Sequence, residues 1–309
     1  MGLSDQSKAY IGLHIAILFF GLTAILGDLI HLPSLSLVWW RLLISLLAFI
    51  PVIFILRLFK LSSVWAVKED IFKVGLFLVI HWITFFASVK LANASVGVLC
   101  LATTSCMTAI VEPIVTRRPF RLIEFLFGLC VIPGMILVVQ SVSSDMTLGF
   151  VVGLFSALFA ALFTTFNKKI VDKGSTILFT FAELLVAFVL LSIIVLGLTL
   201  SGKSLEFLPQ RNIDWGYLLF LSIVCTTICY TIAFRSLRHM TAFSANLSIN
   251  LEPVYGIILA WWILNDNEEM GSSFYYGAGL ILLVVFLFPI LEKYFLRIKI
   301  IKPDAGTFH

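Results

Sequence analysis

Ten runs of mostly apolar residues fill nearly the whole chain, separated by short polar connections. The first five are Tyr10–Asp28, Leu35–Leu58, Ile71–Leu91, Ser95–Thr116 and Leu122–Val139. The second five are Thr147–Asn167, Thr176–Leu200, Trp215–Phe234, Ala242–Leu264 and Ser273–Leu296. A bilayer core takes about 20 apolar helical residues to cross. Lipid offers no partner to backbone N–H and C=O groups, so each run is expected to span as a helix. The longest connections, Phe59 to Asp70 and Ser201 to Asp214, leave no room for a soluble domain.

The polar residues inside these runs are the candidate chemistry. The ninth run, SANLSINLEPVYGIILAWW from Ser244 to Trp262, carries Glu252 at its middle and Pro253 directly after. On one continuous helix, Ser244, Ser248 and Glu252 share a stripe. Pro253 cannot donate to the carbonyl of Ile249, so a bend is expected there. A carboxylate, a freed carbonyl and hydroxyls at this depth suit a cavity wall better than a lipid face. Asn250 and Tyr255 flank that acid. Arg41 lies in the second run about 9 Å below its outer end, taking 1.5 Å per residue. An intramembrane cation calls for a carboxylate, and depth leaves Glu252 and Glu183 both open. His81, beside Trp82 in the third run, suits a proton relay, a substrate contact or a satisfied core histidine. Glu112, followed by Pro113, is close enough in sequence to pair with Arg117 or Arg118.

Composition supports the membrane reading. Hydrophobic residues make up 61% and charged residues 12% of the 309 positions, and mean hydropathy is +1.09. These values exclude an ordinary soluble domain and a disordered chain. The first run is too long for a signal-peptide core and is expected to be retained as a helix. The five cysteines all fall in apolar runs without a CxxC pair, as packing residues do. With the N-terminus in the cytoplasm, 17 of the 21 Lys and Arg residues fall on the inner side and three (Lys90, Lys203 and Arg211) on the outer. That asymmetry predicts both termini inside. The outer connections carry Asp28, Asp145, Glu206, Asp214, Asp266, Glu268 and Glu269. Trp39, Trp40, Trp215, Trp261, Trp262, Tyr275 and Tyr276 fall near the outer ends of their runs.

The chain reads as one five-helix unit used twice, residues 1–140 and 141–309. An odd number of crossings inverts the second copy in the membrane. Arg41-Leu42-Leu43 in the second run corresponds to Glu183-Leu184-Leu185 in the seventh. Ser105, Thr108, Glu112 and Pro113 in the fourth run are read as the counterpart of Ser244, Ser248, Glu252 and Pro253 in the ninth. A ridge of Gly149, Gly153, Ala157 and Ala161 in the sixth run predicts close helix packing. Leu251-Glu252-Pro253-Val254-Tyr255-Gly256, then Trp261-Trp262-Ile263-Leu264, the acidic turn from Asn265 to Glu269, and Gly277 and Gly279 resemble the second-repeat signature of EamA-type members of the drug/metabolite transporter superfamily. Pro33, Trp40 and Arg41 resemble the first-repeat signature. The fourth run departs from the pattern: Cys106 stands where many members have proline, and Arg117-Arg118-Pro119 fills the turn that follows.

The resemblance implies an all-α integral membrane protein with ten transmembrane helices in two inverted five-helix repeats. It further implies export or exchange of a small metabolite without saying which one. The expected function is a secondary transporter in the plasma membrane of a small organic metabolite such as an amino acid or related compound. Export is favoured over import. The substrate and proton pathway is expected to involve Arg41, His81, Trp82, Glu112, Glu183, Ser248, Asn250, Glu252 and Tyr255, with Pro113 and Pro253 as hinges. Expected partners are the lipid bilayer, a small-molecule substrate and protons, with no nucleic acid and with a homodimer left open. No cofactor or metal motif stands out, and no glycine loop for ATP is present. A sugar-phosphate or nucleotide-sugar exchanger is the alternative, and it calls for more cavity cations than Arg41. An intramembrane enzyme or a scaffold is the alternative of another class. A second acidic cluster, a pair of intramembrane aspartates and a His-Glu-x-x-His sequence are all absent.

The charge pattern makes a topological prediction. Cysteines placed at Ser144 and Ser272 are expected to react with an impermeant thiol reagent from outside. Those at Ser62 and Gly174 should react only after permeabilisation. Outside labelling at Ser62 would overturn the orientation.

Overall fold

The structure, a computed structural model, describes residues 4–58, 60–141, 143–249, 251–264 and 271–301. Asn250 and the acidic turn of residues 265–269 lie outside the described residues. The described residues form helices joined by short turns, with no strand among them. The first half comprises α1 (Asp5–Leu29), α2 (Ser34–Ile55), the short α3 (Leu61–Ala66), α4 (Lys68–Leu91), α5 (Ala94–Leu101), α6 (Thr104–Thr116), α7 (Leu122–Leu129) and α8 (Val131–Ser141). The second comprises α9 (Thr147–Ile170), α10 (Thr176–Leu200), α11 (Asn212–Ser222), α12 (Cys229–Ser236), α13 (Ala242–Ile249), α14 (Glu252–Leu264) and α15 (Ser272–Ile301). Eight continuous or interrupted stretches among the described residues are long and apolar enough to cross a bilayer. The pair α7 and α8, and α15, complete the ten-helix plan. The fold is an all-α membrane protein of two inverted five-helix repeats.

The element boundaries show the repeat and correct one expected correspondence. Helices α6 and α14 have 13 residues each, and each follows a turn residue, Thr103 in one repeat and Leu251 in the other. The equivalent of Glu252, which opens α14, is therefore Thr104, which opens α6. Glu112 matches Ala260. The two Glu-Pro pairs resemble each other in sequence without occupying equivalent places. Arg41 and Glu183, by contrast, are each the eighth residue of their helix, α2 and α10.

The breaks also lie away from the expected bends. The first half is interrupted at Ala102 and Thr103, not at Pro113, which sits inside α6. There the amides of Ala102 and Thr103 donate to Leu99 and Cys100 at 3.0 and 3.1 Å, three residues back rather than four. The hydroxyl of Thr103 also donates to the Cys100 carbonyl at 2.8 Å. Pro253 occupies the first turn of α14, where a missing N–H costs little. The helix breaks just before Glu252, so α13 and α14 do not present one continuous hydroxyl-to-carboxylate stripe.

Small residues set the closest approaches. A Cβ on Gly149 would lie 2.8 Å from the backbone nitrogen of Ala92, and one on Gly153 2.7 Å from Ser88 Oγ and 2.8 Å from Cys100 Sγ. Ala157 and Ala161 on the same ridge are fully buried. The ridge thus seats α9 against α4 and α5. A Cβ on Gly21 of α1 would lie 2.9 Å from the Cβ of Tyr255, which fixes Tyr255 at an α1–α14 crossing.

Polar contacts then tie the repeats together near the end of the bundle that carries Arg118. The carboxylate of Glu112 accepts hydrogen bonds from the amides of Ala242 and Phe243 at 2.9 and 2.7 Å, and from Arg118 Nη2 at 3.1 Å. An acid there satisfies two of the amides that the start of α13 leaves without intrahelical partners. Arg118 also pairs with Glu124, which Arg121 holds at 2.8 Å. One turn along, Asn246 Nδ2 donates to Thr108 Oγ1 at 2.8 Å. Helices α6 and α13 are therefore clamped.

Two stability effects should follow. Gly149→Ala is expected to cost about 1–3 kcal/mol, because backbone must move to admit the methyl. Gly197→Ala, with nothing within 4 Å of its Cβ, is the control and should unfold as the parent does in detergent. Glu112→Ala should also cost about 1–3 kcal/mol by leaving buried donors unmet, and it should raise the reactivity of a cysteine placed at Ser244. Equal melting of Gly149→Ala and Gly197→Ala would contradict the packing account. Unchanged labelling at Ser244 would contradict the clamp.

Candidate functional site

A cavity of about 90 Å³ lies between the repeats, and Arg41, His81, Trp82 and Glu252 all line it. Phe20, Thr104, Phe163, Cys225, Tyr230 and Asn246 complete much of its wall. The structure thus brings four of the nine expected pathway residues to one place. The helix break delivers Glu252, since as the first residue of α14 it sits beside the gap between half-helices rather than along a regular helical face.

Arg41 is only 4% exposed, and how it is held decides what the cavity can bind. Its Nε donates to Thr226 Oγ1 at 2.7 Å, and its guanidinium carbon lies 3.8 Å from the centroid of the Trp82 ring. Phe86 lies on the same cation at 5.5 Å. Among the described residues no carboxylate comes within 4.0 Å of it, so the expected ion pair with Glu252 or Glu183 is not formed. The ring face supplies the attraction instead, about 0.5–2 kcal/mol for a cation–π contact. Thr226 is available because residues Ile223–Ile228 form a π-helical segment between α11 and α12. Its hydroxyl donates to the Leu221 carbonyl at 2.8 Å, which leaves its oxygen to accept from Arg41. Thr227 and Ser45 both donate to the carbonyl of Ser222, at 3.0 Å each. The widened turn therefore rests on hydroxyl contacts that periodicity alone does not reveal, and π segments often mark functional sites.

Glu252 is 5% exposed, and its carboxylate accepts no hydrogen bond from the described residues. The cavity therefore holds a guanidinium and a carboxyl group whose terminal atoms are not engaged with each other. His81 is the third polar group. Its Nδ1 lies 2.8 Å from Ser156 Oγ and 3.1 Å from the Ser156 carbonyl, while the Ser156 hydroxyl donates to the His81 carbonyl at 2.9 Å. Both partners of Nδ1 are then acceptors, so this network places the proton on Nδ1 and leaves Nε2 an acceptor. The imidazole also stacks on Phe163 at 5.5 Å.

The remaining expected residues lie elsewhere. Glu112 is in the α6–α13 clamp and does not line the cavity. Ser248 bonds back to the Ser244 carbonyl at 3.0 Å and Tyr255 packs on α1, so neither lines it. Asn250 is outside the described residues. Glu183 stands behind the wall: its Oε2 accepts from Tyr230 Oη at 2.8 Å, and Tyr230 itself faces the cavity. Tyr230 and Trp82 each come twelve residues before the start of the next helix, α13 and α5. The inverted repeat thus sets an arginine against a tryptophan in one copy and a glutamate against a tyrosine in the other. Tyr230, Thr226 and Asn246 were not legible as site residues. For Tyr230, its place in the repeat opposite Trp82 was the one available signal.

Comparison with known proteins agrees with this architecture. No curated protein matches the chain. A solved crystal structure superposes with a TM-score of 0.68 at 14% identity, covering 92% of this chain and 98% of that one. A likeness at that identity shows the fold alone. The EamA-like transporter family matches residues 7–140 and again residues 147–289. Nearly all of the chain falls within the two matches, and it belongs to the EamA-like transporter family, the membrane transporters of the drug/metabolite type.

Proposed function

We propose that the protein is a secondary active exporter of a small zwitterionic metabolite, an amino acid or a close relative, in the plasma membrane with both termini cytoplasmic. One observation carries this reading: Arg41 and Glu252 face one buried cavity without pairing. A substrate carboxylate suits the guanidinium held on Trp82, and a substrate ammonium suits Glu252. A ligand with both groups would neutralise both charges at once, which favours binding in a dry site. His81 Nε2 adds an acceptor for a second N–H. A sugar-phosphate or nucleotide sugar would set a multiply charged anion against Glu252. Arg41 is also the one Lys or Arg among the described lining residues.

Energy comes from proton or counter-substrate exchange. Burial and the nearby Arg41 act on the charge of Glu252 in opposite senses. A proton and a substrate ammonium compete for that one carboxylate, which suffices for antiport. The repeats rock about the cavity, and opening toward the cytoplasm releases the clamp between α6 and α13. The half-helix breaks, rather than Pro113, are the flexible points.

Proteoliposomes loaded with a mixture of amino acids, with efflux read by mass spectrometry, test the function. The parent protein is expected to deplete a subset, faster under an inward proton gradient. Glu252→Gln keeps the shape and should fold, yet fail to concentrate substrate. Arg41→Lys should raise KM about tenfold or more, since a point charge replaces the planar fork. A Glu252→Gln protein that still concentrates substrate with normal pH dependence would remove Glu252 from the coupling role.

A further inference from the structure

Glu183 is fully buried and lies outside the substrate cavity, yet it is built into a connected polar group. Tyr230 Oη donates to its Oε2 at 2.8 Å, and Asn167 Nδ2 donates to Tyr230 Oη at 2.9 Å. Among the described residues the other carboxyl oxygen, Oε1, has no hydrogen-bond partner, and neither has Asn167 Oδ1. Both are acceptors, so the group is short of donors, not acceptors. Among the described residues no cation makes good the deficit. Of the described charged and titratable side chains on the helices packed against α10, Tyr230 of α12 is the one hydrogen-bonded to Glu183. Arg41 of α2 is engaged with Thr226 and Trp82, His81 of α4 with Ser156, and Lys73 of α4 lies over the Phe166 ring at 5.6 Å. An ionised carboxylate in this setting would be both desolvated and unpaired, a costly combination. A proton on the carboxyl removes the charge and provides the missing donor.

Tyr230 also gives this carboxyl a route out. It lines the substrate cavity and, with Asn167, a second cavity of about 60 Å³. That second cavity continues past Phe163 and Ala245 to Leu13 and Leu237, toward the end of the bundle that bears Lys8 and Arg238. The tyrosine stands between a chamber that meets substrate and one that reaches toward the other face.

We propose that Glu183 is a dedicated proton-binding site, protonated in the state described and discharged through Tyr230, separate from the carboxylate that meets substrate. When the Tyr230 hydroxyl turns from Oε2 toward a cavity, its oxygen takes the carboxyl proton while its own proton passes to water in that cavity. Tyrosine ends unchanged, Glu183 ends as a carboxylate, and one proton has moved. Reloading from the opposite face runs the same step backward. This rests on the transporter reading above, and it adds one proton per cycle that does not compete with substrate.

The test has two arms. In the first, infrared spectra of the purified full chain in lipid are recorded without substrate, for the parent and Glu183→Gln. The parent is expected to show a protonated carboxylic-acid C=O band at neutral pH that Glu183→Gln lacks and that Tyr230→Phe shifts in frequency. In the second, proteoliposomes with the amino-acid mixture are brought to steady state under a pH difference of one unit. One proton fewer per cycle lowers the accumulation ratio about tenfold in Glu183→Gln, since one pH unit is worth about 1.4 kcal/mol per proton. Exchange of labelled for unlabelled amino acid should keep its parent KM, which also shows that the variant is folded. Identical infrared spectra, or an unchanged accumulation ratio, would overturn the proposal. Should amino acids not be transported at all, the infrared arm still decides whether Glu183 holds a proton.

Discussion

The site depends on holding one arginine in a membrane interior without giving it a counter-ion. A buried guanidinium is normally neutralised by a carboxylate, and the pair then has nothing left to offer a ligand. Here Arg41 is held by the Trp82 ring and one threonine hydroxyl, so its charge is stabilised but not cancelled. That solution needs the π-helical turn at Ile223–Ile228 to bring Thr226 into place, and it needs the hydroxyls of Thr226, Thr227 and Ser45 to satisfy the carbonyls the turn exposes. Much of the surrounding architecture exists to make that arrangement affordable.

The half-helices bring the second polar group, a carboxyl, to the cavity by a different device. A break before Glu252 sets its carboxylate at the start of a helix, where the backbone amides favour an anion. In the other repeat the equivalent place is Thr104, which also lines the cavity. Inverted repeats are therefore used asymmetrically: equivalent positions keep their location and change their chemistry. The same holds for Arg41 on Trp82 against Glu183 under Tyr230. One copy offers a charge to the cavity, and the other conceals a carboxyl behind an aromatic hydroxyl.

Away from the cavity, one set of polar contacts between the repeats lies where α6 meets α13, while others join α2 to the 201–211 connection and α1 to α12. Glu112 caps α13 from the other repeat while paired with Arg118, and Asn246 bonds to Thr108. These bonds are individually breakable, unlike the glycine-lined seam between α9 and α4. The seam makes those two helices move as a unit, while the clamp connects segments next to a helix break. Rigid units joined by polar latches are what alternating access between two repeats requires.

Hydrophobic run length was enough, from the sequence, to specify an all-helical chain crossing the membrane, because lipid permits few alternatives, and an odd count of runs with internal matches such as Arg41 and Glu183 gave its division into two inverted units. The Arg41–Glu183 correspondence was legible for the same reason: both lie within uninterrupted helices, where position along the chain fixes depth. The Glu-Pro correspondence misled, because proline predicts a missing hydrogen bond but not where the helix breaks. The breaks at Ala102–Thr103 and before Glu252 depend on local carbonyl partners and on packing between helices. What Arg41 pairs with was likewise undecidable from spacing, since Thr226 lies 185 positions away and is presented only by a π turn. Sequence therefore determined which polar residues enter the membrane. Tertiary structure decided which of them meet, which cap a neighbouring helix as Glu112 does, and which stay hidden as Glu183 does, because those outcomes depend on contacts between helices distant in the chain.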